Sequence, residues 1–276
     1  MKHNILLPTD FSDNSWSAIV YALKLYAHEE CTFYLLNSVA ISVAMRSKIS
    51  KSLLKTSQEE AKKELLNLKQ LAQESNGNPN HDFKIILSIN DLDKAINNAV
   101  INHDISLVIM GTKGVTGAKG FFFGSNTVRV ISRFANCPVL VIPEDYDFVA
   151  PKQIAFPTDY NRFYGSNEIK PLTQMADLYN SKIRILHINE NEELSEIQQF
   201  NQMMLQSYLN NNKYSLHWMP KYDKKTAEIN DFIEELNINI LAMVNYKHSF
   251  IENIVKEPII KKIGFKPLVP FLVIPE

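Results

Sequence analysis

Short apolar runs alternate with longer segments of helical periodicity in the first half of the chain. Residues 3–8 and 32–39 are predicted to be buried strands, and apolar positions between 16 and 23 recur at the i, i+3, i+4, i+7 spacing of one helix face. Ser12 stands just before that segment as a predicted N-cap. The same reasoning predicts, in order, a helix over 50–75, a strand over 83–89, a helix over 91–103, a strand over 106–110, a helix from about 125 and a strand over 139–142. Apolar strands that alternate with helices favour a parallel sheet covered on both faces.

The chain contains two copies of this pattern. Asn4–Phe11 returns as Gln153–Tyr160, an offset of 149 (153 minus 4). Pro138–Glu144 returns as Pro270–Glu276, an offset of 132 (270 minus 138), so the second copy is about 17 residues shorter (149 minus 132). Two copies predict two domains of one fold, over residues 1–146 and 151–276.

Composition and charge narrow the classes of function. The 276 residues carry 29 Lys and Arg against 30 Asp and Glu, so nonspecific attraction to nucleic acid or to an anionic membrane has no electrostatic support. No apolar stretch reaches the roughly 18–20 residues of a membrane span, and the N-terminus lacks the pattern of a signal peptide, so we expect a cytoplasmic protein. Two cysteines, Cys31 and Cys137, do not make a disulfide framework.

Glycine is concentrated in one loop, directly after the fourth predicted strand. Five of the 8 glycines of the chain lie between positions 111 and 124. Glycine lets backbone N–H groups approach an anion closely, and a helix that begins near Ser125 adds its N-terminal dipole. The loop therefore suits a phosphate, the alternative being a connector that holds no ligand. It matches neither a Walker A sequence nor the dinucleotide fingerprint of a first βα turn.

The spacing within this loop resembles the nucleotide-binding signature of the universal stress protein family. That signature is Gly, two residues, Gly, nine residues, Gly and then Ser or Thr, which Gly111, Gly114, Gly124 and Ser125 satisfy. An aspartate after the first strand, Asp10, and the strand sequence Pro-Val-Leu-Val-Ile-Pro agree with it. The resemblance implies a tandem member with two doubly wound α/β domains, each a mainly parallel five-stranded sheet with helices on both faces, of the adenine nucleotide alpha hydrolase-like type.

The resemblance also implies a ligand, namely ATP or another adenine nucleotide, with or without magnesium, in the first domain. Asp10 would lie beside the adenine or ribose, although a turn residue at the start of the first helix is an equal alternative, and both roles are compatible. The end of the second strand would edge the base, with Ser38 at a position usually held by valine. The implied site consists of Pro8, Thr9, Asp10, Ser38, Met110, Gly111, Lys113, Gly114, Gly124, Ser125 and Asn126.

The second copy departs from the signature. Val244, Lys247 and Lys256 stand where the three signature glycines of the first copy stand, whereas Asp159 is retained. A β-branched residue cannot adopt positive φ cheaply, and lysine side chains would fill the space that a phosphate approaches. We therefore expect the second domain to have lost ordinary nucleotide binding and to serve as a scaffold or to hold a different small ligand.

The sequence offers no recognisable catalytic constellation and no metal-ligand spacing. The resemblance therefore implies an ATP-binding regulatory protein of the stress response, with an unidentified protein partner. The alternatives are an interaction scaffold that works without nucleotide and a slow ATPase. Because the family pairs domains through the last strand, the resemblance further implies an intramolecular pseudo-dimer through Val139–Ile142 and Phe271–Ile274, with a further homodimer as an option.

Overall fold

The computed structural model describes residues 2–39, 51–112, 124–133, 136–189, 193–220, 225–246 and 268–276. The chain divides into two compact units, Met1–Asp147 and Phe148–Glu276. Each unit is an α/β structure with a parallel sheet.

The elements of the first unit follow the predicted order, with ends that differ from the prediction by one or two residues. They are β1 (His3–Pro8), α1 (Asp13–Leu25), β2 (Cys31–Ser38), α2 (Lys51–Glu74), β3 (His81–Ser88), α3 (Leu92–His103), β4 (Leu107–Gly111), α4 (Ser125–Arg133) and β5 (Val139–Ile142). The predicted N-cap is confirmed, because Ser12 Oγ accepts a hydrogen bond from the Ser15 N–H at 3.2 Å. The third strand begins two residues before the predicted start, since His81 pairs with Cys31 at the first position of β2.

The strands of the first unit lie in the order β3-β2-β1-β4-β5, and all four neighbouring pairs are parallel. The chain builds outward from β1 to β3 and then returns to the other side of β1, so the strand order reverses between β1 and β4. Right-handed crossovers then place α1 and α2 on one face and α3 and α4 on the other. The sheet is doubly wound.

The core of this unit lies on both faces of its central strands. Leu6, Leu35, Ile109 and Leu140, one from each of the four most buried strands, have no exposed surface. The edge strand β3 is only half-buried and alternates polar with apolar residues near its start. Continuous apolar runs are thus explained by burial on two faces, as the sequence predicted.

The second unit repeats the architecture. Its elements are β6 (Gln153–Pro157), α5 (Ser166–Asp177), β7 (Lys182–Asn189), α6 (Glu196–Tyr208), β8 (Tyr214–Pro220), α7 (Lys225–Glu235), β9 (Ile240–Asn245) and β10 (Phe271–Pro275). The strand order is β8-β7-β6-β9-β10, again with parallel neighbours. The order therefore reverses between β6 and β9, as it does between β1 and β4.

The helices are amphipathic rather than continuously apolar. The longest described one, α2, has 24 residues and carries charges on its exposed face, including an i,i+4 pair between Lys55 and Glu59. Within the described ranges, no helix is both long enough and apolar enough to cross a membrane.

Candidate functional site

A crevice is expected where the strand order of a doubly wound sheet reverses, beyond the carboxyl ends of the strands. In the first unit this is the edge formed by the ends of β1 and β4, hereafter the first crevice. Thr9 and Asp10 directly follow β1, and Met110 and Gly111 are the last residues of β4. Pro8 and Met110 are buried within the sheet, whereas Asp10 is exposed.

The segment after β1 is a tight turn that leads into α1. Thr9 Oγ1 accepts the Phe11 N–H at 3.0 Å, and Asp10 Oδ1 accepts the Ser12 N–H at 3.2 Å and the Ser12 hydroxyl at 2.6 Å. Phe11 has a φ of 64°, in the left-handed region. Asp10 therefore has a structural function, as an Asx-turn residue before the helix, which is one of the two roles that the sequence left open.

The end of β2 lies beside this turn. Asn37 Nδ2 donates to the Thr9 carbonyl oxygen at 2.8 Å, which ties the two strand ends together. The next residue, Ser38, is half-buried, and its hydroxyl donates to the Asn90 carbonyl oxygen at 2.5 Å. The Ser38 hydroxyl thus bonds the end of β2 to the loop after β3.

Gly111 is required by the approach of α1. A Cβ atom at this position would lie 2.9 Å from the Asn14 carbonyl oxygen and closer still to the Asn14 side-chain oxygen. Real Cβ atoms do not come this near to a backbone oxygen, so a larger residue would displace the start of α1. The glycine is explained by this packing alone, whatever ligand the crevice holds.

The start of α4 is fixed onto the end of β4. The Thr127 hydroxyl lies 3.0 Å from the Gly111 carbonyl oxygen and 3.1 Å from that of Thr112. Gly124 occupies the N-cap position, because its carbonyl accepts the Val128 N–H at 2.9 Å, and its own N–H donates to Thr112 O at 2.6 Å. Neither Thr112 nor Thr127 was predicted from the sequence. The signal that could have identified Thr127 is a hydroxyl residue in the first turn of a predicted helix.

This helix start has the properties of an anion site. Ser125 and Asn126 are exposed in the first turn, which carries no acidic residue. The first N–H groups of a helix have no intrahelical acceptor, and the helix dipole adds positive potential there. Of the other predicted site residues, Lys113 and Gly114 lie outside the described residues.

The second unit builds the same turn after its first strand. Thr158 Oγ1 accepts the Tyr160 N–H at 3.1 Å, and Asp159 Oδ1 accepts the Asn161 N–H at 3.0 Å. His187 Nδ1 bonds to the Thr158 carbonyl oxygen at 2.9 Å, as Asn37 does to that of Thr9 in the first unit. The retained aspartate is therefore explained by turn geometry.

The glycine position is where the two units differ. Gly111 pairs with Ile142 and Val244 pairs with Ile274, so strand register places Val244 at the glycine position, as predicted. The Val244 side chain is buried, with 4% of its surface exposed. The other two predicted replacements, Lys247 and Lys256, lie outside the described residues.

Comparison with known proteins identifies the family. The model of the Universal stress protein family matches residues 1–143. Among solved structures, a universal stress protein from Archaeoglobus fulgidus DSM 4304 is 16% identical with a TM-score of 0.72, covering 99% of this chain and 96% of that one. One from Pseudomonas aeruginosa UCBPP-PA14 is 14% identical with a TM-score of 0.61, covering 99% and 93%. No curated protein sequence gives a significant match. The family match spans more than half of the chain and the structural likeness covers both units, so the protein belongs to the universal stress protein family.

Proposed function

We propose that the first crevice binds an adenine nucleotide, ATP with or without magnesium, and that its occupancy controls the binding of a protein partner in the stress response. The observation that carries the proposal is the start of α4. Thr127 fixes this helix to the end of β4, and its exposed first turn has no acidic residue. A helix start at the switch point of a doubly wound sheet is a suitable site for a phosphate group.

The residues of the first crevice fit such a ligand. The Asp10 carboxylate is exposed and held by hydrogen bonds from Ser12, so it offers a fixed acceptor to a ribose hydroxyl. Ser125 and Asn126 supply N–H groups and polar side chains to the phosphates, and Lys113 supplies a positive charge nearby in sequence. The nucleotide itself would supply the negative charge that this helix start stabilises.

The substitution Asn126→Asp tests this assignment. It changes one amide to a carboxylate of the same shape, so repulsion of the phosphates should weaken ATP binding about tenfold or more, by isothermal titration at low salt. The same charge should leave the protein as stable or raise its stability by about 0.3–1 kcal/mol, because acidic residues are favourable at a helix start. Asn98→Asp, an exposed amide on α3, is the matched control and should change neither ATP affinity nor its salt dependence.

A nucleotide-independent scaffold is the second candidate, and the structure contains a specific observation in its favour. Gly111 and Asp10 both have structural explanations that need no ligand, namely the approach of Asn14 and the turn before α1. If ATP at millimolar concentration fails to bind the unsubstituted protein, the scaffold becomes the leading function.

A further inference from the structure

The turn after the first strand is longer in the second unit. From Thr9 to the N-cap Ser12 is three residues (12 minus 9), whereas from Thr158 to the N-cap Gly165 is seven (165 minus 158). The ends of β6 and β9 are hereafter called the second crevice, as the ends of β1 and β4 form the first. The longer turn after β6, residues 159–165, is called the crevice loop.

The crevice loop buries an aromatic ring at the end of β7. Tyr160 is 1% exposed, and its ring stacks on His187 with centroids 5.0 Å apart and planes 21° apart. His187 corresponds to Asn37, because each bonds to the carbonyl of the threonine after the first strand. The corresponding aromatic of the first unit, Phe11, is 36% exposed. A flat ring in the second unit therefore covers the strand end that, in the first unit, is proposed to edge the adenine.

Two side chains of α6 donate hydrogen bonds to the backbone of the crevice loop. Gln198 Nε2 donates to the Asp159 carbonyl oxygen at 2.9 Å, and Asn201 Nδ2 donates to the Tyr160 carbonyl oxygen at 2.8 Å. Asn201 is buried, with 4% of its surface exposed. These two side-chain amides fix the backbone of the crevice loop to α6.

The crevice loop also contributes a partly buried arginine, Arg162. The Arg162 guanidinium lies 4.6 Å from the centre of the Tyr246 ring and 5.4 Å from that of Tyr164. Its Nη2 atom is 2.7 Å from a Glu168 oxygen and 3.6 Å from a Glu276 oxygen. Two carboxylates thus pair with one nitrogen of the guanidinium.

This charge arrangement is unfavourable for a phosphate. Burial is the largest cause that raises the pKa of Tyr246 to about 12, and the Asp159 carboxylate also raises it. Two residues after the glycine position, the second unit has Tyr246 where the first has Lys113. Among the described residues, the carboxylates of Glu168 and Glu276 would therefore compete with a phosphate for this guanidinium.

We propose that the crevice loop is an internal occupant of the second crevice, with the Tyr160 ring in the place of a nucleobase and the carboxylates of Glu168 and Glu276 in competition with any phosphate for Arg162. The second unit then keeps its shape without ligand, and nucleotide binding is confined to the first unit. The assignment of the base position depends on the function proposed above; the filling of the second crevice does not.

Two tryptophans permit a separate test of each unit. Trp218 on β8 packs T-shaped with His187, with ring centroids 5.0 Å apart, and Trp16 is in α1 of the first unit. In the full chain carrying Trp16→Phe, Trp218 fluorescence then reports on the second crevice. The variant Tyr160→Gly removes the ring, and adenosine, which has no phosphate, is the probe.

We expect adenosine to quench Trp218 in the Tyr160→Gly protein with an apparent Kd at least tenfold lower than in the matched control Tyr160→Phe, which keeps the ring. A response of equal affinity in the control would show that the second crevice is already open and would overturn the proposal. So would a folded Tyr160→Gly protein that does not respond.

If Tyr160→Gly does not fold, the double variant Gln198→Ala and Asn201→Ala decides by the same measurement, because it frees the loop without deleting the ring. Adenosine binding with faster amide exchange over the crevice loop would support the proposal; unchanged exchange and no binding would overturn it. ATP binding to the Trp218→Phe protein, followed through Trp16 fluorescence, tests the first unit separately. A failure of the function proposed for the first crevice can therefore be distinguished from a failure of the proposal for the second crevice.

Discussion

At the scale of single residues, Gly111 shows how a residue predicted to contact a ligand can have a second, structural cause. Its spacing to Gly114 and Gly124 predicts a phosphate loop. The close approach of Asn14 depends on a contact across 97 positions (111 minus 14), which no local pattern reveals. Gly111→Val is therefore a poor probe of nucleotide binding, because it also displaces α1.

Gly111→Ala should destabilise the protein by about 1–3 kcal/mol, since the added Cβ meets the backbone of α1. The measurement is urea unfolding without nucleotide, so that lost ligand binding does not contribute. Gly77→Ala is the matched control, because a Cβ there meets nothing within 4 Å. It should be neutral or stabilise by up to about 1 kcal/mol. Equal stability of the two variants would contradict the packing account of Gly111.

At the scale of elements, Thr127 is the side chain that hydrogen-bonds the start of α4 to the end of β4. Thr127→Val removes the hydroxyl shared by the Gly111 and Thr112 carbonyls while conserving volume. We expect a loss of about 1–3 kcal/mol in unfolding free energy and weaker ATP binding, because the helix start is no longer fixed. Thr127→Ser keeps the hydroxyl and should retain most of the ATP affinity. A Thr127→Val protein with unchanged affinity would show that α4 does not position the ligand.

The link between α1 and β3 predicts a pH dependence. His81 Nε2 lies 2.9 Å from the Tyr26 carbonyl oxygen and Nδ1 lies 2.7 Å from Asn76 Oδ1. Burial is the largest cause that lowers the pKa of His81 below its usual value of 6.5. The unfolded chain therefore binds the proton more readily, so this contribution to stability is complete above pH 6.5 and is lost as the pH falls below it.

The variant His81→Gln should accordingly show a smaller loss of unfolding free energy between pH 7.5 and pH 5.5 than the unsubstituted protein. Urea titrations at the two pH values measure it, with His28→Gln, an exposed site, as the control. A pH dependence that is the same in both variants would contradict the assignment to His81.

Element order was predictable because strands buried on two faces leave continuous apolar runs, and Leu35 and Ile109 are examples. The N-cap Ser12 was also predictable, since its signal is local. The fixing of α4 by Thr127 was not, because it depends on the Gly111 and Thr112 carbonyl groups at the end of β4, which are 16 and 15 positions away.

At the scale of the whole molecule, one fold occurs twice with two different crevices. The repeat of Pro-Thr-Asp and the last strand predicted the duplication, and the register of Val244 agrees with the predicted loss of the first signature glycine. The filling of the second crevice was not predictable, because the contact of Tyr160 with His187 spans 27 positions (187 minus 160).

The central claim is that nucleotide binding is confined to the first unit. The most direct test is native mass spectrometry of the full chain with ATP and magnesium, repeated with Asn126→Asp. The account predicts one adenine nucleotide per chain in the unsubstituted protein, and strongly reduced occupancy in the variant. Two nucleotides per chain would contradict the internal occupant proposed for the second crevice, and none at millimolar ATP would contradict the function proposed for the first.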